Sequence, residues 1–74
     1  MPRKIRQLRA DLKRAGFALD PKRGKGSHTY WSHPLVPYPV VLSGGDGNDA
    51  DRYQERDVQR AVRDLREAKR RQQP

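Results

Sequence analysis

Residues 22–33, Lys-Arg-Gly-Lys-Gly-Ser-His-Thr-Tyr-Trp-Ser-His, are the most informative stretch of the sequence. Its first half belongs to a basic loop, residues 21–27, which contains two glycines. Its second half, residues 28–33, is rich in Thr, Tyr and Trp, which suit a pleated strand, and Pro34 ends it. The pattern therefore predicts a strand that begins with a histidine and is preceded by a positively charged loop.

Alternation of side chains along this strand separates its two histidines. One face would carry His28, Tyr30 and Ser32, and the other would carry Thr29, Trp31 and His33. Trp31 is the largest apolar side chain of the sequence, so its face is expected to pack on the core. His28 then lies on the open face beside the basic loop, whereas His33 points to the opposite face.

Two amphipathic helices are predicted on either side of the strands. Residues 3–15 have an apolar stripe with helical spacing, and Gly16 is a natural end for this helix because glycine accepts the left-handed conformation. Residues 53–70 have a second stripe, with Asp49 or Asp51 as its N-cap. The two stripes consist of Ile5, Leu8 and Leu12 in the first helix, and of Val58, Ala61, Val62 and Leu65 in the second.

Two further strands complete the pattern, at residues 17–19 and 40–42. Pro37 and Pro39 are interpreted as a bent entry to the third strand, because proline has no N–H for the hydrogen-bond ladder. Residues 43–48 contain no hydrophobic side chain and are predicted to form a polar loop.

The order helix, three strands, helix indicates an α+β fold. We expect a three-stranded antiparallel sheet with both helices on one face and the other face open. This α-β-β-β-α order is also that of a double-stranded-RNA-binding domain. Residues 1–74 are predicted to form one domain, in which residues 70–74 are a frayed polar tail.

The composition favours a polyanionic partner. The net charge is +8, and it divides into +7 over residues 1–33, −2 over residues 34–50 and +3 over residues 51–74. Nucleic acid is the leading candidate, with an anionic membrane surface or an acidic protein as alternatives. The sequence has no cysteine, no apolar run long enough to cross a membrane and no signal-peptide pattern, so a cytoplasmic location is expected.

The loop and the histidine together suggest metal-free cleavage of RNA. Such a reaction needs a base for the 2′-hydroxyl proton, an acid for the leaving oxygen and positive charge around the phosphate. His28 is the candidate base, because histidine exchanges protons near neutral pH. The phosphate and RNA contacts are assigned to Lys22, Arg23, Lys25, Gly26, Ser27 and Tyr30. The acid stays unassigned.

The same residues can also be interpreted without a catalytic or RNA-binding role. An exposed histidine is more often a surface residue than a base, and the Lys22–Lys25 cluster is equally a solvated loop. His33 is expected to be structural, Trp31 to be core, and the charges of the first helix to form a solvated face. No spacing of acidic residues or histidines is typical of a metal site, and no cofactor is expected.

The sequence resembles the HicA toxins, the ribonuclease partners of HicB antitoxins. The resemblance rests on Leu-Lys-Arg-Ala-Gly-Phe at residues 12–17 and on Gly-Lys-Gly-Ser-His-Thr-Tyr-Trp-Ser-His-Pro at residues 24–34. It implies a double-stranded-RNA-binding-like fold, translation-independent cleavage of mRNA, and neutralisation by a HicB-like antitoxin. Because a toxin must be held inactive until it is needed, we expect this antitoxin to cover the His28 face. The family's catalytic histidine, in its Gly-Ser-His motif, corresponds to His28. Many relatives have a second histidine next, where this chain has Thr29.

Two other functions compete with a toxin ribonuclease. A non-catalytic module would bind double-stranded RNA through shape and phosphate contacts and would release no fragments. An interaction protein would use its basic surface only for an acidic partner and would bind no RNA.

Overall fold

The computed structural model describes residues 3–23, 26 and 28–72 and has the predicted order of elements. Helix α1 spans Ile5–Ala15, and helix α2 spans Arg52–Gln72. Between them lie strands β1 (Ala18–Leu19), β2 (Thr29–His33) and β3 (Val36–Leu42). The sheet is antiparallel in the order β1-β2-β3, which confirms the α+β fold.

Several boundaries differ from the prediction. Helix α1 begins at Ile5 and not at residue 3, β1 at Ala18 and not at residue 17, and α2 at Arg52 and not at residue 53. Strand β2 begins at Thr29, so His28 immediately precedes it. Strand β3 begins at Val36, and the predicted start at residue 40 was therefore wrong. Helix α2 continues to Gln72, so residues 70–72, which were predicted to belong to a frayed tail, are helical.

Strand β3 accommodates two prolines because it is an edge strand. It pairs with β2 on one side only, and a residue without an N–H is tolerated on such a strand. The pairing of β2 with β3 is also interrupted. Trp31 lies opposite Val40, but His33 lies opposite Val36, so β3 has two extra residues in this interval. The prolines therefore lie in the irregular part of the edge strand.

Both helices cover the same face of the sheet, and one apolar core lies between the layers. Trp31 is fully buried at the centre of the sheet, between Leu19 on β1 and Val40 on β3. Its indole N–H donates a hydrogen bond to the Thr29 hydroxyl at 3.0 Å. The core residues are Ile5, Leu8, Leu12, Phe17, Trp31, Val36, Val40, Leu42, Ala50, Val58, Ala61 and Leu65. The predicted burial of the Trp31 face is thus confirmed.

The polar loop after β3 is tied to the start of α1. The backbone N–H groups of Ile5 and Arg6 donate to the carbonyls of Asn48 and Asp46, at 2.9 and 3.2 Å. These two donors have no partner within the helix, so the loop satisfies part of the helix N-terminus. Asp46 also forms an ion pair with Arg9 at 2.9 Å. The loop therefore completes the first turn of α1.

A glycine ends α1 as the sequence predicts. Gly16 has φ of 101°, which is left-handed and strains any residue with a Cβ. The N–H of Gly16 donates to the Lys13 carbonyl at 3.0 Å, and that of Phe17 donates to the Leu12 carbonyl at 2.9 Å. This C-cap turns the chain so that Phe17 enters the core.

The start of α2 is held by a buried glutamine. Asp51, one of the two predicted N-caps, immediately precedes the helix, and its backbone N–H donates to Gln54 Oε1 at 3.0 Å. Gln54 Nε2 donates to the Ser43 carbonyl at 3.2 Å and contacts the Ser43 hydroxyl at 3.0 Å. Gln54 is only 2% exposed, so these bonds satisfy a polar group inside the protein.

Tyr38 links β3 to the middle of α2. Its hydroxyl donates a short hydrogen bond to the carboxylate of Asp64, and the Arg60 guanidinium lies over its ring at 4.7 Å. Burial, and then the bond to Asp64, raise the pKa of Tyr38 above its ordinary value of 10.0.

In the described part of the chain, neither helix is long and apolar enough to cross a membrane.

Candidate functional site

His28 is exposed at the entrance to β2. The next residue, Thr29, faces the core side, where its hydroxyl accepts the Trp31 indole hydrogen bond. Alternation from Thr29 and the buried Trp31 places Tyr30 on the open side of the sheet. The anchoring of Trp31 therefore fixes which face of β2 is presented to solvent, and His28 stands at the solvent-accessible end of that strand.

Tyr30 is covered by an arginine from the basic loop. The Arg23 guanidinium lies 4.5 Å from the centre of the Tyr30 ring, a distance typical of a cation–π contact. Tyr30 is half-buried, and Arg23 is exposed. The contact brings a positive charge of the loop to the open face of the strand, two residues beyond His28. Spacing in the sequence could not reveal this pair, because it depends on how the loop folds back.

A turn centred on Asp20 directs the loop towards β2. The Asp20 N–H donates to the Tyr30 carbonyl at 2.9 Å, which extends the pairing of the two strands by one residue. The Asp20 carboxylate accepts the N–H of Lys22 at 3.0 Å, and its carbonyl accepts that of Arg23 at 3.4 Å. Side chains of Asp stabilise turns in this way. Asp20 is thus a positioning residue for the loop, a role that was not predicted from the sequence.

The remaining predicted contacts are only partly described. Lys22 is exposed. Gly26 is exposed and has φ of 61°, in the left-handed region that favours glycine. Lys25 and Ser27, which were predicted to contact phosphate and RNA, lie outside the described residues, as does Gly24. Of the predicted site residues, Arg23 and Tyr30 are in contact, and His28 is exposed immediately before β2.

His33 has the packed position that was expected. Its ring lies 5.5 Å from that of Phe17, and its Nδ1 accepts the N–H of Leu35 at 3.0 Å. The side chain is half-buried and lies next to Gly16, at the end of α1. His33 therefore stabilises the turn from β2 to β3, and it is not available beside His28.

Basic residues in and just before the first turns of α1 are partly neutralised by ion pairs. Arg3 pairs with Asp11 at 2.6 Å, Lys4 with Asp49 at 2.5 Å and Arg9 with Asp46 at 2.9 Å. Two of these pairs, those with Asp46 and Asp49, attach the loop after β3, so part of the charge that was predicted to be only solvated contacts this loop. Within residues 3–23, 26 and 28–72, no three His, Asp or Glu side chains are grouped so as to bind a metal ion.

One comparison identifies relatives of this chain. The family model described as "HicA toxin of bacterial toxin-antitoxin" matches residues 5–69, which include both helices except for the last turn of α2, and the whole sheet. No curated protein and no solved structure matches the chain significantly.

Proposed function

Because the chain belongs to the HicA family, the toxins of bacterial toxin–antitoxin systems, we propose that it is a metal-independent endoribonuclease that cleaves mRNA. His28 is the general base of this reaction. The observation that supports the proposal is the exposure of His28 immediately before β2, two residues from Tyr30, whose ring the Arg23 guanidinium contacts. A base and a cation on one accessible surface are what this reaction requires.

The chemical step begins with the ribose 2′-hydroxyl. A ring nitrogen of His28 takes the 2′-hydroxyl proton, and the 2′-oxygen attacks the adjacent phosphorus. The bond between phosphorus and the 5′-oxygen breaks, and the 5′-oxygen takes a proton from an acid that stays unassigned. The products are a 2′,3′-cyclic phosphate and a 5′-hydroxyl. This step needs no oxidant, no reductant and no metal ion.

The contacts to RNA are assigned to the basic loop and to Tyr30. Arg23 and Lys22 supply positive charge for the phosphate in the transition state, and Lys25, Gly26 and Ser27 are the further candidates from the sequence. The Arg23 guanidinium covers the Tyr30 ring, so the two side chains together offer one stacked surface for a base. Stacking of this kind tolerates several bases, so it positions RNA without a strict sequence requirement.

A HicB-like antitoxin is the proposed protein partner. A partner that covers His28 and the loop would block access of RNA without changing the fold of the toxin. The excess of positive charge in residues 1–33 favours acidic residues on the covering surface. A cytoplasmic location agrees with an mRNA substrate.

Substitution of His28 tests the catalytic assignment. His28→Ala is expected to lower the cleavage rate about a hundred- to ten-thousand-fold, because a general base contributes about that factor. Growth inhibition should be lost as well. Ser32→Ala is the matched control, since Ser32 is exposed on the same strand and has no assigned role. Circular dichroism melting curves establish that both variants are folded, and normal cleavage by folded His28→Ala would refute the assignment.

The absence of a metal requirement has its own test. Cleavage of a labelled RNA by the wild-type protein is expected to proceed at the same rate with and without EDTA. Mass spectrometry of the fragments should show the cyclic phosphate end. Loss of cleavage with EDTA, and its recovery on addition of Mg²⁺ or Mn²⁺, would contradict the proposed chemistry.

A non-catalytic RNA-binding module is the second candidate, favoured by the α-β-β-β-α order together with the positive charge. Such a module would bind duplex RNA with a steep dependence on salt. Incubation of RNA with folded wild-type protein separates the two candidates. Fragments that His28→Ala does not produce support the nuclease, and binding without any fragments supports the module.

A further inference from the structure

A groove of about 470 Å³ runs between α1 and α2, and its lining includes none of the described residues that are assigned to RNA. A smaller depression of about 180 Å³ adjoins it and shares Ala15, Val62 and Arg66. In the described part of the chain, the lining of both comes from the two helices alone. Together the groove and the depression extend along α2 from Val58 to Lys69, a length of about 17 Å, or three helical turns.

The groove has an apolar floor and cationic walls. Ala15 and Val62 are half-buried and form the floor with the buried Val58. The cationic side chains of the walls are Arg14, Arg63, Arg66 and Lys69. The groove also has one carboxylate, that of Asp11, which already pairs with Arg3 at 2.6 Å. The cations of the walls therefore exceed the acidic groups available to them.

The walls have few anionic partners in the protein itself. Among the residues that the structure describes, Arg14 and Arg66 have no carboxylate within 4.0 Å, and Arg63 approaches Asp64 only at 3.9 Å. Cations held close together repel one another, and an added anion relieves that repulsion. An occupant that brings carboxylates to the walls is thus favoured over a neutral one.

The apolar floor distinguishes a peptide from a nucleic acid. A phosphate backbone would meet the arginines, but it has no aliphatic group to cover Ala15 and Val62. An amphipathic helix has both components, since apolar side chains on one face enter a groove while acidic side chains on its flanks reach the walls. The three-turn length of the groove also matches a helical segment.

We propose that the groove between α1 and α2 binds an acidic amphipathic helix of a partner protein. Its apolar side chains contact Val58 and Val62, and its carboxylates pair with Arg14 and Arg66. The lining contains none of His28, Lys22, Arg23 and Tyr30, so a partner can hold the protein here whether or not the open face of the sheet is occupied. The inference does not depend on the nuclease assignment, because binding is measured without RNA cleavage.

A labelled synthetic peptide tests this site. The probe is a peptide of about 15 residues with leucines on one helical face and glutamates on the flanks. A second peptide has the same composition in an order without an apolar face. Fluorescence anisotropy at 0.15 M salt, where long-range attraction is screened, should show binding of the first peptide only. Amide shifts in NMR spectra should include those of Ala15, Val58 and Val62.

Two variants and one control localise the binding. Arg66→Glu and Val62→Gln are each expected to weaken it by about tenfold or more, through charge repulsion at the wall and a polar group on the floor. Arg56→Glu makes the same change of charge at an exposed position of α2 outside the groove, and it should change the affinity less than about twofold. Melting curves verify that the variants are folded.

Four results would overturn the proposal. Equal binding of the two peptides, or equal effects of Arg66→Glu and Arg56→Glu, would indicate general attraction of negative charge. Self-association of the free protein that Val62→Gln abolishes would make the groove a contact between copies. Displacement of the peptide by a short RNA duplex, with loss of RNA binding in Arg66→Glu, would make it part of an RNA surface.

Discussion

Replacement of Gln54 by glutamate tests the link between the end of β3 and the start of α2. The change is isosteric, and the introduced carboxylate can still accept the N–H of Asp51 and the hydroxyl hydrogen of Ser43. It cannot donate to the Ser43 carbonyl, which now receives a hydrogen bond at 3.2 Å. One attractive contact therefore becomes a repulsion between two oxygens, at a position that is 2% exposed.

The expected loss follows from these contacts. Leaving a buried carbonyl without its donor costs about 1–3 kcal/mol, and burial of the carboxylate adds to this. A negative charge in the first turn of α2 interacts favourably with the helix dipole, which offsets about 0.5 kcal/mol of this loss of stability. We expect Gln54→Glu to lower the free energy of unfolding by about 2 kcal/mol at pH 7. For a domain of this size the melting temperature would fall by roughly 10 °C.

Acid should relieve the loss, because a protonated carboxyl group can donate to the Ser43 carbonyl again. Burial raises the pKa of the introduced carboxyl in the folded state above its unfolded value of about 4.3. The penalty is therefore full above the folded pKa, and it disappears as the pH falls towards the unfolded value. Urea titrations of the variant and the wild-type protein at pH 7 and pH 4.5 measure this difference.

Gln59→Glu is the matched control, since it makes the same change at an exposed position of the same helix. It should alter the free energy of unfolding by less than about 0.5 kcal/mol. If Gln54→Glu unfolds at the same urea concentration as this control at pH 7, the bond to the Ser43 carbonyl contributes no stability, and the reasoning is refuted.

Two further substitutions test the turn after α1 and the contact of β3 with α2. Gly16→Ala should cost about 1–2 kcal/mol because its φ is 101°, whereas Gly47→Ala, with open space at its Cβ, should cost little; equal midpoints in urea would contradict this. Tyr38→Phe should cost about 1 kcal/mol at pH 7 through the lost bond to Asp64. The folded state retains the Tyr38 proton more tightly, so the difference should shrink as the pH rises above 10.0; a gap that grows would refute it.

The helices and the face of β2 could be predicted because they depend on local periodicity. The stripes of α1 and α2 determine which side of each helix is buried, and Trp31 decides the inward face of its strand. The start of β3 was missed because Pro37 and Pro39 were placed outside the sheet. Whether proline is tolerated depends on the order of the strands, and an edge position is a property of the whole fold.

Other parts of the fold and site depend on contacts between distant residues. Gln54 continues the α2 stripe four residues before Val58, so its burial had a signal in the spacing, but its partner Ser43 had none. The loop of residues 43–48 has no apolar residue, and its attachment to α1 uses backbone groups, which carry no sequence signature. The contact between Arg23 and Tyr30 likewise requires the turn at Asp20. The assignment of His28 stays a prediction, and it depends on the Gly-Ser-His motif of the family.

The attachment of α1 to the loop after β3 can be followed through hydrogen exchange at two backbone amides, which measures how often this contact opens. Amide hydrogens in the first turn of a helix ordinarily exchange rapidly with solvent, because they have no partner in the helix. Those of Ile5 and Arg6 instead donate to Asn48 and Asp46. Their exchange with deuterium therefore requires separation of two segments about 40 residues apart in the chain. Protection factors at these two amides measure the free energy of that separation, independently of fraying at the helix end.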